Sequence, residues 1–303
     1  MTALASTPPD VTVRRRDIHV VRALAGVEAR RMLLNPLLWV GVGLSVWVLW
    51  SAVPEPDEWV GATYQDTAIA IVPFALAVSV VVATSFHRER VPVAGGVPTG
   101  ESARCLARLV AALPLVLLAV GISAFTAWRQ RDVGGLMLGV EPGRTTEALF
   151  TAGELAQPVA LAVLAVAVGA VIGRRTSTMV AAVPLLFVLW LVTSVYWFYA
   201  DRRVTPFSIV QAQPISLPAG PSSADPLSFP AHWLLVAPDE FSQQWTRAFV
   251  SDALAWWHAA WLIGLALLWL SVALPARPAR RPLVIVGAVL AVLGVAAQYV
   301  VLA

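Results

Sequence analysis

The chain has 303 residues, 58% of them hydrophobic and only 13% charged, with a mean hydropathy of +0.75 and a formal net charge of +3. That ratio excludes an ordinary water-soluble domain, and one cysteine, Cys105, excludes a disulfide or cysteine-metal framework within one chain. All 21 basic residues are arginine, so the chain also lacks the lysine that a GxxxxGK[ST] phosphate loop requires.

Seven stretches of about 20 residues are nearly free of charge, the length a helix needs to cross roughly 30 Å of hydrocarbon. They predict an all-α integral membrane protein with about seven transmembrane helices. Residues 1–31 read as a tail and an N-terminal interfacial helix. From Val13 to Arg31, Ile18, Val21, Leu24 and Val27 recur every third residue with arginines between them, which fits an amphipathic helix lying in the membrane interface. A basic tail that merely fixes topology is the plainer reading. The first 30 residues lack the apolar core of a cleavable signal, so the first span is expected to be the insertion signal.

The transmembrane domain, residues 32–303, is expected to hold spans at 34–53, 67–86, 107–127, 155–173, 179–199, 256–275 and 283–302. Pro114 and Pro184 fall inside the third and fifth, where each removes one helix hydrogen bond and reads as a packing kink. Only Gly173 to Ser177 separates the fourth span from the fifth, which predicts an antiparallel hairpin. Residues 200–255 are rich in proline before a more helical stretch, HWLLVAPDEFSQQWTRAF, and read as a lid or surface loop without a core of its own.

With the N-terminus in the cytoplasm, the inner segments carry fifteen arginines and the outer ones six, a clear positive-inside bias. Trp50, Trp128, Tyr196, Trp197, Tyr199, Trp256 and Tyr299 then fall at outer span ends, where amphipathic rings favour the interface. The expected location is the cytoplasmic membrane, N-terminus inside and C-terminus outside. The positive charge follows topology, and no nucleic-acid partner is expected.

No expected span holds Asp, Glu or Arg near its middle, which disfavours an ion-coupled carrier. His19, His87, His232 and His258 show no metal-ligand spacing. Glu55, Asp57 and Glu58 lie in the first outer loop, where membrane glycosyltransferases that use polyprenyl-phosphate sugars place paired carboxylates. Outer segments hold 13 of the 18 acids, however, so acids there also simply complement the arginine bias. No catalytic or metal residue is assigned.

Around the first span runs Glu28-Ala29-Arg30-Arg31-Met32-Leu33-Leu34-Asn35-Pro36, and after the second comes His87-Arg88-Glu89-Arg90, then Pro98-Thr99-Gly100-Glu101-Ser102-Ala103-Arg104. This order resembles the membrane subunit of type-2 ABC exporters, whose elbow helix of the form E-x-R-R-x-x-x-N-P precedes the first span. Trp257-His258 and the basic linker Arg277 to Arg281 are similar to the arginine-rich actinobacterial branch. The resemblance implies an elbow helix carrying Glu28, Arg30, Arg31, Asn35 and Pro36. It also implies an ATPase-coupling loop carrying Arg88, Glu89, Arg90, Pro98, Thr99, Glu101 and Arg104. It further implies a dimer of permeases, like or unlike, with two ATPase subunits that bind ATP and Mg, no cofactor being held in this chain. The chain departs from the family in two ways. Seven spans are expected against a six-span core, making the last an extra C-terminal span, and only residues 231–250 are placed to form the family's reentrant outer hairpin. The function expected is a permease moving an apolar or amphipathic substrate; a glycosyltransferase-like enzyme and a non-transporting scaffold are the alternatives.

Overall fold

The computed structural model describes residues 12–53, 61–88, 100–136, 138, 147–195, 202–238, 243–275 and 277–303. Ten α-helices are described: α1 (Thr12–Leu33), α2 (Pro36–Ser51), α3 (Ala62–Ile69), α4 (Val72–Arg88), α5 (Glu101–Ala111), α6 (Leu113–Asp132), α7 (Ala152–Arg175), α8 (Met179–Val195), α9 (Asp252–Ala273) and α10 (Arg277–Val301). Among the described residues, five helical stretches are long and apolar enough to cross a membrane: Ala62–Arg88, Glu101–Asp132, Ala152–Arg175, Asp252–Ala273 and Arg280–Val301. Counting α1 and α2 as one span, bent by 57° between them, gives a sixth. Each expected span thus meets a helix, and the described part of α8 has 17 residues.

Two helices form the centre. Most residues of α4 and α7 are buried, and they approach closely because Gly169 and Gly173 present bare backbone to the carbonyls of Ser79 and Ala83, where any Cβ would overlap. Small residues four apart let transmembrane backbones meet, so that dispersion and not water expulsion holds them. Ser79 strengthens this seam, donating to the Ala75 and Ala165 carbonyls and accepting from Trp190 Nε1 at 2.9 Å. Through that tryptophan α8 leans mainly on α4, so the expected hairpin of the fourth and fifth spans is a weak pairing.

A second tight pair is α9 with α10, where Gly264 and Gly287 face each other's backbone. Val292 and Val300 of α10 remain 67% and 76% exposed, a surface that hydrocarbon covers at no cost. Pro114 sits in the first turn of α6, after a one-residue break at Ala112, where its missing donor costs little.

The segment expected to be an irregular loop contains a three-stranded antiparallel sheet, β1 (Ile215–Pro221), β2 (Leu234–Val236) and β3 (Gln244–Phe249), in the order β1-β3-β2. Of the residues read as helical, or as a reentrant hairpin at 231–250, Leu234–Val236 and Gln244–Phe249 are strands: Leu234 pairs with Ala248 and Val236 with Thr246. The physical reason lies in the side chains, since Val236, Trp245, Thr246 and Phe249 favour a pleated, half-buried surface. Ile215 anchors the sheet against Leu254 of α9 and Leu302 beyond α10.

Candidate functional site

At one end of the bundle, α1 lies along α5 and touches the end of α4. The face of α1 turned inward is Val21, Ala25, Glu28 and Met32, whereas Ile18 and Val27 are exposed. The expected stripe at every third residue is corrected by helix geometry. Each three-residue step falls short of a turn by about 60°, so Ile18 and Val27 end on opposite sides. Steps of four, three and four stay on one face.

Glu28 is only 9% exposed, and its carboxylate accepts from Ser85 Oγ and from Arg31, both at 2.8 Å. Arg30 points outward. Asn35 caps α2, its side chain accepting from the Leu37 amide at 3.0 Å, and Pro36 supplies the preset first turn; such a cap stabilises a helix by about 1 kcal/mol. Trp39 Nε1 donates to the Leu33 carbonyl at 2.7 Å, satisfying the end of α1 as the chain turns. The motif Glu28 to Pro36 therefore encodes a bend fastened at both sides.

The same end gathers part of the expected coupling loop. Arg88 closes α4, and Glu101 opens α5 and pairs with Arg174 of α7. Arg104 lies one turn along α5, and Arg108 lies over the Phe86 ring at 5.9 Å. Cys105 is buried, its sulfur 3.9 Å from the Ala273 carbonyl of α9. Glu89, Arg90, Pro98 and Thr99 lie outside the described residues, as do Glu55, Asp57 and Glu58. Among the described residues no group of three His, Cys, Asp or Glu side chains is placed to hold a metal ion.

Midway along the bundle, a cleft of about 140 Å³ opens between α7, α8 and α9. Leu164, Val168, Trp190, Ile209, Leu265 and Trp269 line it, with the Thr193 hydroxyl as a polar point. Ile209 connects this cleft to a buried polar chain that no local pattern announces. Its carbonyl lies 3.4 Å from His258 Nε2, while His258 Nδ1 lies 3.2 Å from Gln298 Oε1. Gln211 donates to that same oxygen at 2.8 Å and accepts from Gln157 at 3.3 Å. Residues from α7, α9, α10 and the strand-bearing segment are thus joined through three amides and one imidazole. Glutamines so far apart in sequence carry no local signal; the W-H pair at 257–258 was the nearest pointer.

The opposite end of the bundle is closed by carboxylates. Glu154 accepts from Tyr64 at 2.7 Å and completes a capping box with Thr151, and Asp252 accepts from the Gly153 amide at 2.7 Å. These acids satisfy helix ends. Fold and composition together define a multi-pass, largely helical membrane protein. No protein-family model, curated protein or solved structure matches the chain.

Proposed function

We propose that this chain is the permease subunit of an ATP-driven exporter of the ABC type, resident in the cytoplasmic membrane. It works as a dimer of permeases with two separate ATPase subunits. One observation carries the reading: Glu28 joins the elbow α1 to Ser85 near the end of α4, while α5 packs along the same α1. A force applied to the segment from Arg88 to Arg104 is then delivered to three helices at once. On this reading the arginine-bearing end faces the cytoplasm, as the positive-inside bias supports.

The cleft beside Trp190 and Trp269 suits an apolar or amphipathic cargo, because its walls offer dispersion contacts and one hydroxyl. The Mg-ATP chemistry belongs to the partner. The test is charge reversal at Arg88, Arg90 and Arg104 together, read by co-purification of the partner ATPase. Unpaired charges in a protein interface cost a few kcal/mol, so retention falls about tenfold or more while the variant still inserts. Unchanged retention rejects the coupling role.

A further inference from the structure

We propose that the crevice between the sheet and the end of α10 holds the phosphate group of an anionic membrane lipid. This crevice, about 640 Å³, is lined by Arg202, Arg203, Ser216, Gln244, Thr246 and Tyr299. Two arginines, three hydroxyl-bearing residues and a glutamine thus border one space, and among the described residues no acidic one lines it. Planar guanidinium forks match phosphate oxygens, and the Ser216 and Thr246 hydroxyls and the Gln244 amide complete their coordination.

The fold builds this surface from separate parts. Pro218 of β1 pairs with Thr246 of β3, and Pro221 with Gln244, so Thr246 and Gln244, two apart, present the same face of the sheet. Tyr299, in the last turns of α10, donates its hydroxyl to the Arg203 carbonyl at 2.9 Å and holds the arginine turn over the crevice. Phe207 packs edge-on against that tyrosine ring, with centroids 6.1 Å apart, while itself 55% exposed.

Two further observations select a lipid over a free anion. The volume far exceeds one phosphate ion, and the exposed Val292 and Val300 of the same α10 offer acyl chains a path alongside. The charge pattern also runs against the rest of this side, whose segments hold 13 of the 18 acids and only six of the 21 arginines. Consecutive arginines there oppose the positive-inside distribution. The inference does not depend on the permease reading.

The test uses the full chain, purified in mild detergent from membranes supplied with phosphatidylglycerol and phosphatidylcholine, with retained lipid counted by native mass spectrometry. Arg202→Gln with Arg203→Gln should lower retained phosphatidylglycerol about tenfold or more, given the contribution of each basic residue near a headgroup. Phosphatidylcholine retention and the control Arg131→Gln should stay at wild-type level. Should the double variant not give monodisperse protein, Tyr299→Phe, which frees the arginine turn, carries the test with a severalfold loss. Undiminished phosphatidylglycerol in these variants overturns the proposal. So does its displacement by millimolar inorganic phosphate alone, which would make this a site for the free ion.

Discussion

Ser85 of α4 donates its hydroxyl to the Glu28 carboxylate of α1 at 2.8 Å, joining residues 57 positions apart. Arg31, one turn further along α1, holds the other oxygen of that carboxylate. The elbow is therefore fastened by a buried acid with two donors, and its angle is set by Asn35 and Pro36 rather than left to a flexible joint.

Ser85→Ala removes one of these donors from a buried carboxylate, at a cost of about 1–3 kcal/mol. We expect thermal unfolding to begin a few degrees lower, measured on purified protein in detergent. Glu28→Gln keeps an acceptor for Ser85 and should lose less than Glu28→Leu, which keeps none. Equal stability of Glu28→Leu and wild type would show that the fastening is without effect.

Gly169→Leu and Gly173→Val each push a side chain into the carbonyls of Ser79 and Ala83. Overpacking of this kind, with backbone on the receiving side, typically costs about 1–3 kcal/mol or more. The expected outcome is loss of the monodisperse peak in size-exclusion chromatography. Gly43→Ala, where nothing stands within 4 Å, serves as the tolerant comparison.

Topology is checked by single cysteines at Ser102 and Ser222, both exposed, in a Cys105→Ala background. In intact cells an impermeant thiol reagent should modify the second and spare the first. The opposite labelling pattern would invert the proposed orientation.

Replacing Glu55, Asp57 and Glu58 together by Asn or Gln should leave export nearly intact, since on the proposed reading these acids only complement the arginine bias and take no part in chemistry. An enzyme that used one of them as base would instead lose about a hundredfold or more in rate. Transport activity collapsing in one single mutant, at normal expression, would move the assignment to a membrane-bound transferase.

Gln298→Leu strips partners from Gln211 and His258 at once. At about 1–3 kcal/mol for each buried group left unsatisfied, this single change should destabilise more than Ser85→Ala. A Gln298→Leu protein as heat-resistant as wild type would mean that the chain of amides adds nothing to the fold.

What the sequence disclosed follows from the range of the physics. Apolar runs such as MVAAVPLLFVLWLV are local, and each coincides with a helix. Asn35-Pro36 is local too, and the cap and turn it predicts are present. The sheet was hidden because Pro218 and Pro221 interrupt β1, leaving no clean alternation to read. Glu28 is marked in the sequence only as the first residue of the E-x-R-R-x-x-x-N-P pattern. Its burial depends on Ser85, and no pattern within α1 announces a partner in another helix. The same holds for Gln157, Gln211 and Gln298, whose meeting is visible only once the helices are placed.

That meeting bears on how the protein is made. Gln211 and Gln298 are 87 positions apart, so at a synthesis rate of about 5–20 residues per second roughly 4–17 s separate their emergence from the ribosome. During that interval the amide of Gln211 and the ring of His258 have no Gln298 to bind. The insertion machinery, or water held within it, has to shelter them until α10 arrives. A nascent chain arrested before Gln298 should therefore remain engaged with that machinery, and release into lipid becomes favourable only when α10 seats against α9.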